Sequence, residues 1–135
     1  MIYLLDSNII SYLVQENQRV GEHLKQLPRS DRVVICTIVR GEILYGIQRM
    51  SPGRRKDEIT EKISKLLAGF FCEPLSEAVA DRYATLKRSS QATGFSIEDN
   101  DLWIAATALL LGALLVTHDD DFLNIDELAR EDWTI

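Results

Sequence analysis

Short apolar runs alternate with helix-patterned segments along most of the chain, and this alternation is the strongest constraint on its fold. Residues 2–5 and 33–36 are continuous apolar runs, as in strands that are buried on both faces. Each run is followed by apolar residues at the i, i+3, i+4 spacing of a helix. Strands that alternate with helices favour an α/β fold with a mostly parallel sheet.

The same patterns predict the remaining elements. Thr37 is predicted to cap a helix that runs to about residue 49, and Gly112 to end a very apolar helix. Further helices are predicted near residues 9–14, 21–27, 55–71, 76–94 and 98–111, and further strands at 71–75, 113–117 and, as a short edge strand, 131–135. The chain shows no linker or repeat, so residues 1–135 are predicted to form a single domain.

Composition narrows the function classes. Hydrophobic residues make up 46% of the 135, which favours a globular fold. No apolar stretch reaches the roughly 18–20 residues of a membrane span, and the start MIYLLDSN lacks the basic region of a signal peptide. Cys36 and Cys72 stand alone in apolar segments, so we expect a reduced protein in the cytoplasm, with no membrane contact. The net charge of −6 weighs against broad electrostatic binding to nucleic acid, yet bound cations would offset it at a local site.

Acidic residues follow the predicted strands or begin the helices after them. They are Asp6, Glu42, Asp101 and the run at 119–121. Strand ends of a parallel sheet share one edge, where open α/β folds bind ligands. Carboxylates that crowd together without cations repel and raise each other's pKa values. This pattern favours a site for Mg²⁺ or Mn²⁺, which prefer oxygen ligands.

Each acid also has a plainer interpretation. Asp6 suits a helix N-cap, and Glu42, on a largely apolar helix face, suits an ion pair with an Arg. Asp101 lies on the buried stripe of its helix, near the positive end. The run at 119–121 suits a solvated turn, in which Asp119 and Asp121 face one way and Asp120 is exposed. Four independent explanations of this kind would not predict a shared edge.

Three segments resemble the PIN-domain family, and most closely its VapC-type toxins from prokaryotic toxin–antitoxin pairs. They read LLDSNIISYL, TIVRGEILYG and DNDLWIAATALLLGALLVTHDDDF, in the order and spacing of that family. The resemblance implies a three-layer α/β/α sandwich around a mostly parallel sheet of four or five strands. It also implies a Mg²⁺- or Mn²⁺-dependent endoribonuclease that cuts structured RNA such as tRNA. The implied partners are a cognate antitoxin, whose tail plugs the active-site groove, and a second copy in a homodimer.

The resemblance also assigns residues. The catalytic acids of the family match Asp6, Glu42, Asp101 and Asp119, and a further acid matches Asp121, directly before Phe122. Metal ligation is expected from Asp6, Asp101, Asp119 and Asp121. Ser7, Asn8 and Thr117 are expected to orient these ligands by hydrogen bonds. Many relatives have Asn where this chain has Asp119, so the number of ions and the closer ligand of the pair Asp119 and Asp121 stay open.

Basic residues concentrate at the break near Ser51-Pro52-Gly53. The residues predicted to contact RNA phosphates are Arg40, Arg49, Arg54, Arg55 and Lys56. For residues 54–56 the alternative is a solvated helix N-terminus, and for Arg40 it is a pair with an acid.

Two rival functions remain open from the residues alone. One is aspartyl phosphotransfer or phosphatase chemistry on Asp6, although Asn8 stands where a phosphatase has a second Asp, and Thr117-His118 where a receiver has a Lys. The other is a non-catalytic metal-binding domain that binds a basic partner.

Overall fold

The computed structural model describes all 135 residues as a five-stranded sheet with six α-helices. The strands are β1 (Ile2–Leu5), β2 (Arg32–Cys36), β3 (Phe71–Glu73), β4 (Leu114–Val116) and β5 (Arg130–Glu131). The helices are α1 (Ser7–Val14), α2 (Gln18–Gln26), α3 (Thr37–Gln48), α4 (Arg54–Ala68), α5 (Glu77–Thr93) and α6 (Asp99–Leu111), and a short 3₁₀ helix spans Asp120–Asn124. All strand pairs are parallel. The predicted α/β class and parallel sheet are confirmed.

The strand order β3-β2-β1-β4-β5 shows where the chain changes direction. From β1 the chain steps outward through β2 to β3, and it then returns to place β4 on the other side of β1. Because parallel crossovers are right-handed, this reversal puts α1–α4 on one face of the sheet and α5 and α6 on the other. The carboxyl ends of β1 and β4 therefore flank the topological switch point, where such sheets bind ligands.

The core fixes the positions of the strand ends at this switch point. Leu4, Leu5 and Leu115 are fully buried in the two central strands, and the backbone N–H of Asp6 donates to the carbonyl of Val116 at 3.0 Å. Helix α6 is buried through most of its length, because small residues such as Ala105 allow close packing against its neighbours. Its first turn is thereby held beside the ends of β1 and β4.

Several predicted boundaries are wrong for local reasons. Helix α2 begins at Gln18, three residues before the predicted start, because the side chain of Asn17 accepts a hydrogen bond from the backbone N–H of Val20. Thr37 does not cap α3; it is the first helical residue, and its hydroxyl donates to the carbonyl of Glu73 at 3.1 Å. The edge strand ends at Glu131 instead of running to the C-terminus.

Two further observations bear on the predicted organisation. Trp133 was predicted to lie in the edge strand, but it lies two residues beyond β5 and is buried in the core. None of the helices combines the length and apolar character that crossing a membrane requires.

Candidate functional site

Three aspartates meet at the carboxyl edge of the sheet. Asp101, Asp119 and Asp121 each place one carboxylate oxygen within 4.8 Å of the other two. Asp101 comes from the first turn of α6, whereas Asp119 and Asp121 come from the segment directly after β4. Oxygens that share one small divalent ion sit about 2–2.5 Å from it, so roughly 3–5 Å separates them from one another. The three aspartates therefore have the spacing of ligands to a single cation.

Asp6 lies beside this group but has other partners. The residue is only 4% exposed. Its carboxylate oxygens accept hydrogen bonds from the backbone N–H of Ser7 at 2.8 Å, from Asn8 Nδ2 at 3.2 Å and from Thr117 Oγ1 at 2.7 Å. Burial raises the pKa of Asp6 above its ordinary value, and the hydrogen bond from Thr117 opposes that rise. Asp6 thus serves as the predicted N-cap and also joins the acidic site.

Thr117 and Asn8 tie the ends of β1 and β4 together. The Thr117 hydroxyl is fully buried; it donates to Asp6 and accepts from the backbone N–H of Asp119 at 3.0 Å and from Asn8 Nδ2 at 3.3 Å. Asn8 Oδ1 accepts in turn from the backbone N–H of His118 at 3.1 Å. The structure therefore places both residues where the sequence analysis expects groups that orient the acids.

Glu42 enters the site from α3 with an unpartnered oxygen. Its Oε1 atom is shielded from solvent and makes no hydrogen bond, while Oε2 lies 3.5 Å from Asn100 Nδ2. Burial, followed by the charge of Asp6, raises the pKa of Glu42. The ion pair with an Arg, weighed as an alternative from the sequence, is not formed.

The site fits a hard divalent cation. Burial raises the pKa of Asp101 to about 7, with further contributions from Asp6, Asp119 and Glu42. An acid whose pKa is raised so far by burial and by the charges of several other carboxylates lies in an electrostatic environment that a cation would relieve. The atoms of this group that could ligate a cation are all carboxylate oxygens, and Mg²⁺ and Mn²⁺ prefer oxygen ligands.

A groove of about 390 Å³ leads away from the acids between α1, α3 and α4. Ser7, Asn8 and Glu42 line its acidic end, and isoleucines from the three helices form much of its wall. Of the five basic residues predicted to contact RNA, Arg49 and Arg55 line this groove.

The other three predicted basic residues do not line the groove. Arg40 is exposed on α3, Lys56 lies in the first turns of α4, and Arg54 lies 3.9 Å from Glu58 on the exposed face of that helix. The structure therefore separates the predicted basic set into two groove residues and three outside it.

Two side chains near the acids were missed by the sequence analysis. Asn100 contacts Glu42, and its position directly before Asp101 was the only signal of such a role. Arg130 donates from Nη2 to Asp120 Oδ1 at 3.0 Å. Asp120 is exposed, as predicted, but nothing local in the sequence pointed to its partner ten residues later.

An open parallel α/β sheet with carboxylates at its switch point defines a broad class of ligand-binding domains. Comparison with known proteins narrows it: the PIN domain model matches residues 3–128, and the chain belongs to the PIN-domain family. It is 34% identical over 140 residues to Ribonuclease VapC1 of Haemophilus influenzae, with 99% of both chains covered.

Solved structures give the same result. The structure of VapBC2 from Rickettsia felis, bound to a DNA fragment from their promoter, is similar at a TM-score of 0.90 and 28% identity, covering 98% of this chain and 99% of that one. VapBC-1 from nontypeable Haemophilus influenzae is similar at a TM-score of 0.88 and 32% identity over the full length of both chains.

Proposed function

We propose that the chain is a metal-dependent endoribonuclease of the VapC type. Its similarity to Ribonuclease VapC1 extends over 99% of both chains, which supports transfer of the ribonuclease activity. The observation that carries the chemistry is the meeting of Asp101, Asp119 and Asp121 within 4.8 Å of one another, with Asp6 and Glu42 near enough for their charges to raise the pKa of Asp101. In a hydrolytic site without a metal ion, so many adjacent carboxylates would repel one another and raise each other's pKa values.

In this proposal Asp101, Asp119 and Asp121 hold Mg²⁺ or Mn²⁺, and Asp6, predicted from the sequence as a fourth ligand, adds its negative charge at Asp101. The bound cation would lower the pKa of a water molecule and offset charge on the scissile phosphate. Glu42, whose charge is felt at Asp101, would orient the attacking water for in-line attack through its carboxylate. In line with the resemblance to VapC toxins, the P–O3′ bond would break and the 3′-oxygen would leave with a proton, which gives 5′-phosphate and 3′-hydroxyl ends.

The groove is the proposed path of the RNA substrate. A chain with a net charge of −6 needs local cations to hold a polyanion, and Arg49 and Arg55 supply them on the groove wall. The Arg49 guanidinium also lies 5.2 Å from the centre of the Tyr45 ring, which restricts its position. Structured RNA such as tRNA is the proposed substrate class, in line with the resemblance to VapC toxins.

A cognate antitoxin is the proposed protein partner. Several similar structures are of VapBC assemblies, which supports a partner of that kind for this chain. An antitoxin tail that enters the groove would compete with RNA for the same residues. Homodimer formation remains a prediction, and light scattering of the purified protein would test it.

The phosphotransfer alternative has less support. A nucleophilic Asp needs an accessible oxygen, but Asp6 is 4% exposed and its carboxylate accepts three hydrogen bonds. A stoichiometric beryllofluoride adduct on Asp6 would favour that alternative.

Cleavage of a total tRNA pool tests the proposed function. Protein freed of antitoxin is incubated with Mn²⁺ or Mg²⁺, with an EDTA control and an Asp101→Asn variant. Specific fragments that require both the metal and Asp101 are the expected result, and mapping their ends identifies the cut. Metal binding without any cleavage by the folded protein would support the non-catalytic alternative instead.

A further inference from the structure

We propose that the C-terminal segment holds the loop of residues 117–121, which carries Asp119 and Asp121, in place through contacts on both sides of Asp119. We call the contacts of Arg130, Asp132 and Thr134 with this loop the C-terminal clamp. The inference rests on the proposed function in one respect, namely that Asp119 and Asp121 are metal ligands. The clamp residues themselves are positioning residues and would touch neither metal nor RNA.

The first contact of the clamp is the pair between Arg130 and Asp120. Arg130 lies on β5 opposite Leu115 of β4, and its side chain is only 14% exposed. Its Nη2 donates to Asp120 Oδ1 at 3.0 Å, whereas its Nε is buried and has no partner. A largely buried guanidinium with one unmet donor depends strongly on the hydrogen bond that it does make. Asp120 is thus held directly between two proposed ligands, although its own carboxylate is 84% exposed.

The second contact holds His118, on the other side of Asp119. His118 Nδ1 lies 2.9 Å from Asp132 Oδ2 and 3.1 Å from Thr134 Oγ1. The other oxygen of Asp132 accepts from the Thr134 backbone N–H at 2.9 Å and from its hydroxyl at 2.6 Å. Because a carboxylate without a proton can only accept, this arrangement directs the Nδ1 proton of His118 toward Asp132.

Trp133 anchors the clamp in the core. Trp133 is 1% exposed, and its ring centre lies 5.6 Å from that of Tyr3 and 5.4 Å from that of His23, which stacks on it. The backbone N–H of Thr117 also donates to the carbonyl of Glu131 at 3.0 Å, so the tail runs beside the loop from the sheet outward. Asp132 and Thr134 flank the anchored residue and are therefore held at a fixed distance from the loop.

The loop needs such external support because the carboxylates of Asp119 and Asp121 repel each other and the carboxylate of Asp101 on α6. Three carboxylates within 4.8 Å repel one another when no cation is bound. Within the loop, the main local restraints are the bonds from the Asp119 N–H to Thr117 and from the Asp121 N–H to Asp119 Oδ1, at 3.0 and 2.9 Å. The clamp therefore keeps the acids at ligand spacing before the metal arrives, which lowers the cost of binding it.

The test uses Arg130→Gln, Asp120→Asn and the double variant of the full chain. Calorimetry measures Mn²⁺ binding without RNA, and hydrogen exchange of the Asp121 amide measures loop order without metal. We expect each single variant to bind Mn²⁺ about tenfold more weakly, the low end of the effect of removing groups that orient metal ligands. The double variant should be no weaker than the worse single one, and the Asp121 amide should exchange faster in all three.

Two further variants separate positioning from general stability. Arg130→Lys restores a cation and should recover part of the Mn²⁺ affinity. Lys65→Gln breaks an exposed ion pair with Glu61, 3.3 Å apart on α4 and outside the loop, and should leave Mn²⁺ binding and the Asp121 amide unchanged.

The outcomes distinguish this inference from the proposed function. Unchanged Mn²⁺ affinity in Arg130→Gln overturns the clamp, as does a lower melting temperature with unchanged Mn²⁺ affinity and amide exchange. Because both readouts omit RNA, a wild-type protein that binds Mn²⁺ without cutting RNA refutes the ribonuclease proposal while the clamp is still decided by its own variants.

Discussion

Replacing Asp101 by Asn should stabilise the metal-free protein while it abolishes metal-dependent cleavage. Burial and the neighbouring carboxylates raise the pKa of Asp101 from 3.8 to about 7. At about 1.4 kcal/mol for each pKa unit, ionising it in the folded protein costs about 4 kcal/mol more than in the unfolded chain. Solvent reaches part of this side chain, so screening reduces the expected gain on substitution to about 2 kcal/mol. In a domain of this size that corresponds to a melting temperature higher by roughly 5–8 °C.

The gain should depend on pH in a defined direction. The pKa of Asp101 is higher in the folded state, so the folded protein binds more protons than the unfolded chain between the ordinary value of 3.8 and about 7. The stability of the metal-free wild type therefore falls as pH rises through this window. Asn does not titrate, so the variant should match the wild type near about pH 4 and exceed it by the full amount at about pH 8.

Unfolding by urea in EDTA, repeated across this pH range, measures the effect. Asp126→Asn is the matched control, because Asp126 is exposed and its side chain makes no hydrogen bond or ion pair. With saturating Mn²⁺ the order should reverse, since only the wild type gains the binding energy of the ion. If Asp101→Asn is no more stable than wild type at about pH 8 in EDTA, the argument from carboxylate repulsion is wrong.

Two further changes test the supporting residues. Thr117→Val should lower the unfolding free energy by about 2 kcal/mol and slow cleavage, because Asp6 and the backbone N–H of Asp119 lose the hydroxyl that both contact. Thr117→Ser keeps the hydroxyl and is the control, so equal losses in both variants would contradict this reasoning. Charge reversal at Arg49 and Arg55 should weaken RNA binding and reduce its logarithmic salt dependence by roughly 0.7 for each phosphate that is no longer neutralised. Arg29→Glu, just before β2 at the opposite edge of the sheet, is the control in the salt titration, and an unchanged slope in the groove variants would rule out the proposed RNA path.

Local patterns were sufficient to predict much of the fold. The strand at residues 2–5 was placed correctly because an unbroken apolar run is characteristic of a strand buried on both faces. Gly112 ends α6 in the left-handed conformation, at φ 62°, as expected of a glycine after an apolar helix. The convergence of Asp101, Asp119 and Asp121 also followed from the parallel sheet, because its strand ends share an edge.

Contacts between distant side chains could not be predicted in this way. The hydroxyl of Thr37 suits a helix cap by sequence, but β3 lies close enough to offer the carbonyl of Glu73 instead. Arg130 and Asp120 are both residue types that usually lie at the surface, so the sequence gives no sign that they are paired. Only the pairing of β5 with β4 brings them together. Tertiary contacts of this kind override local preference without leaving a periodic signal.

The acidic site is held together by groups that do not enter its proposed chemistry. Asp6 and Glu42 both have raised pKa values from burial, so the fold stabilises their charged forms poorly by itself. Hydrogen bonds from Thr117 and Asn8 oppose this rise at Asp6, and contacts with Asn100 and Ser7 oppose it at Glu42, although the Glu42 Oε1 atom has no hydrogen bond. A site designed only for stability would place a donor there or lose the carboxylate. Keeping Glu42 near enough for its charge to raise the pKa of Asp101 weakens the fold unless a cation offsets these charges, so stability and function oppose each other at these residues.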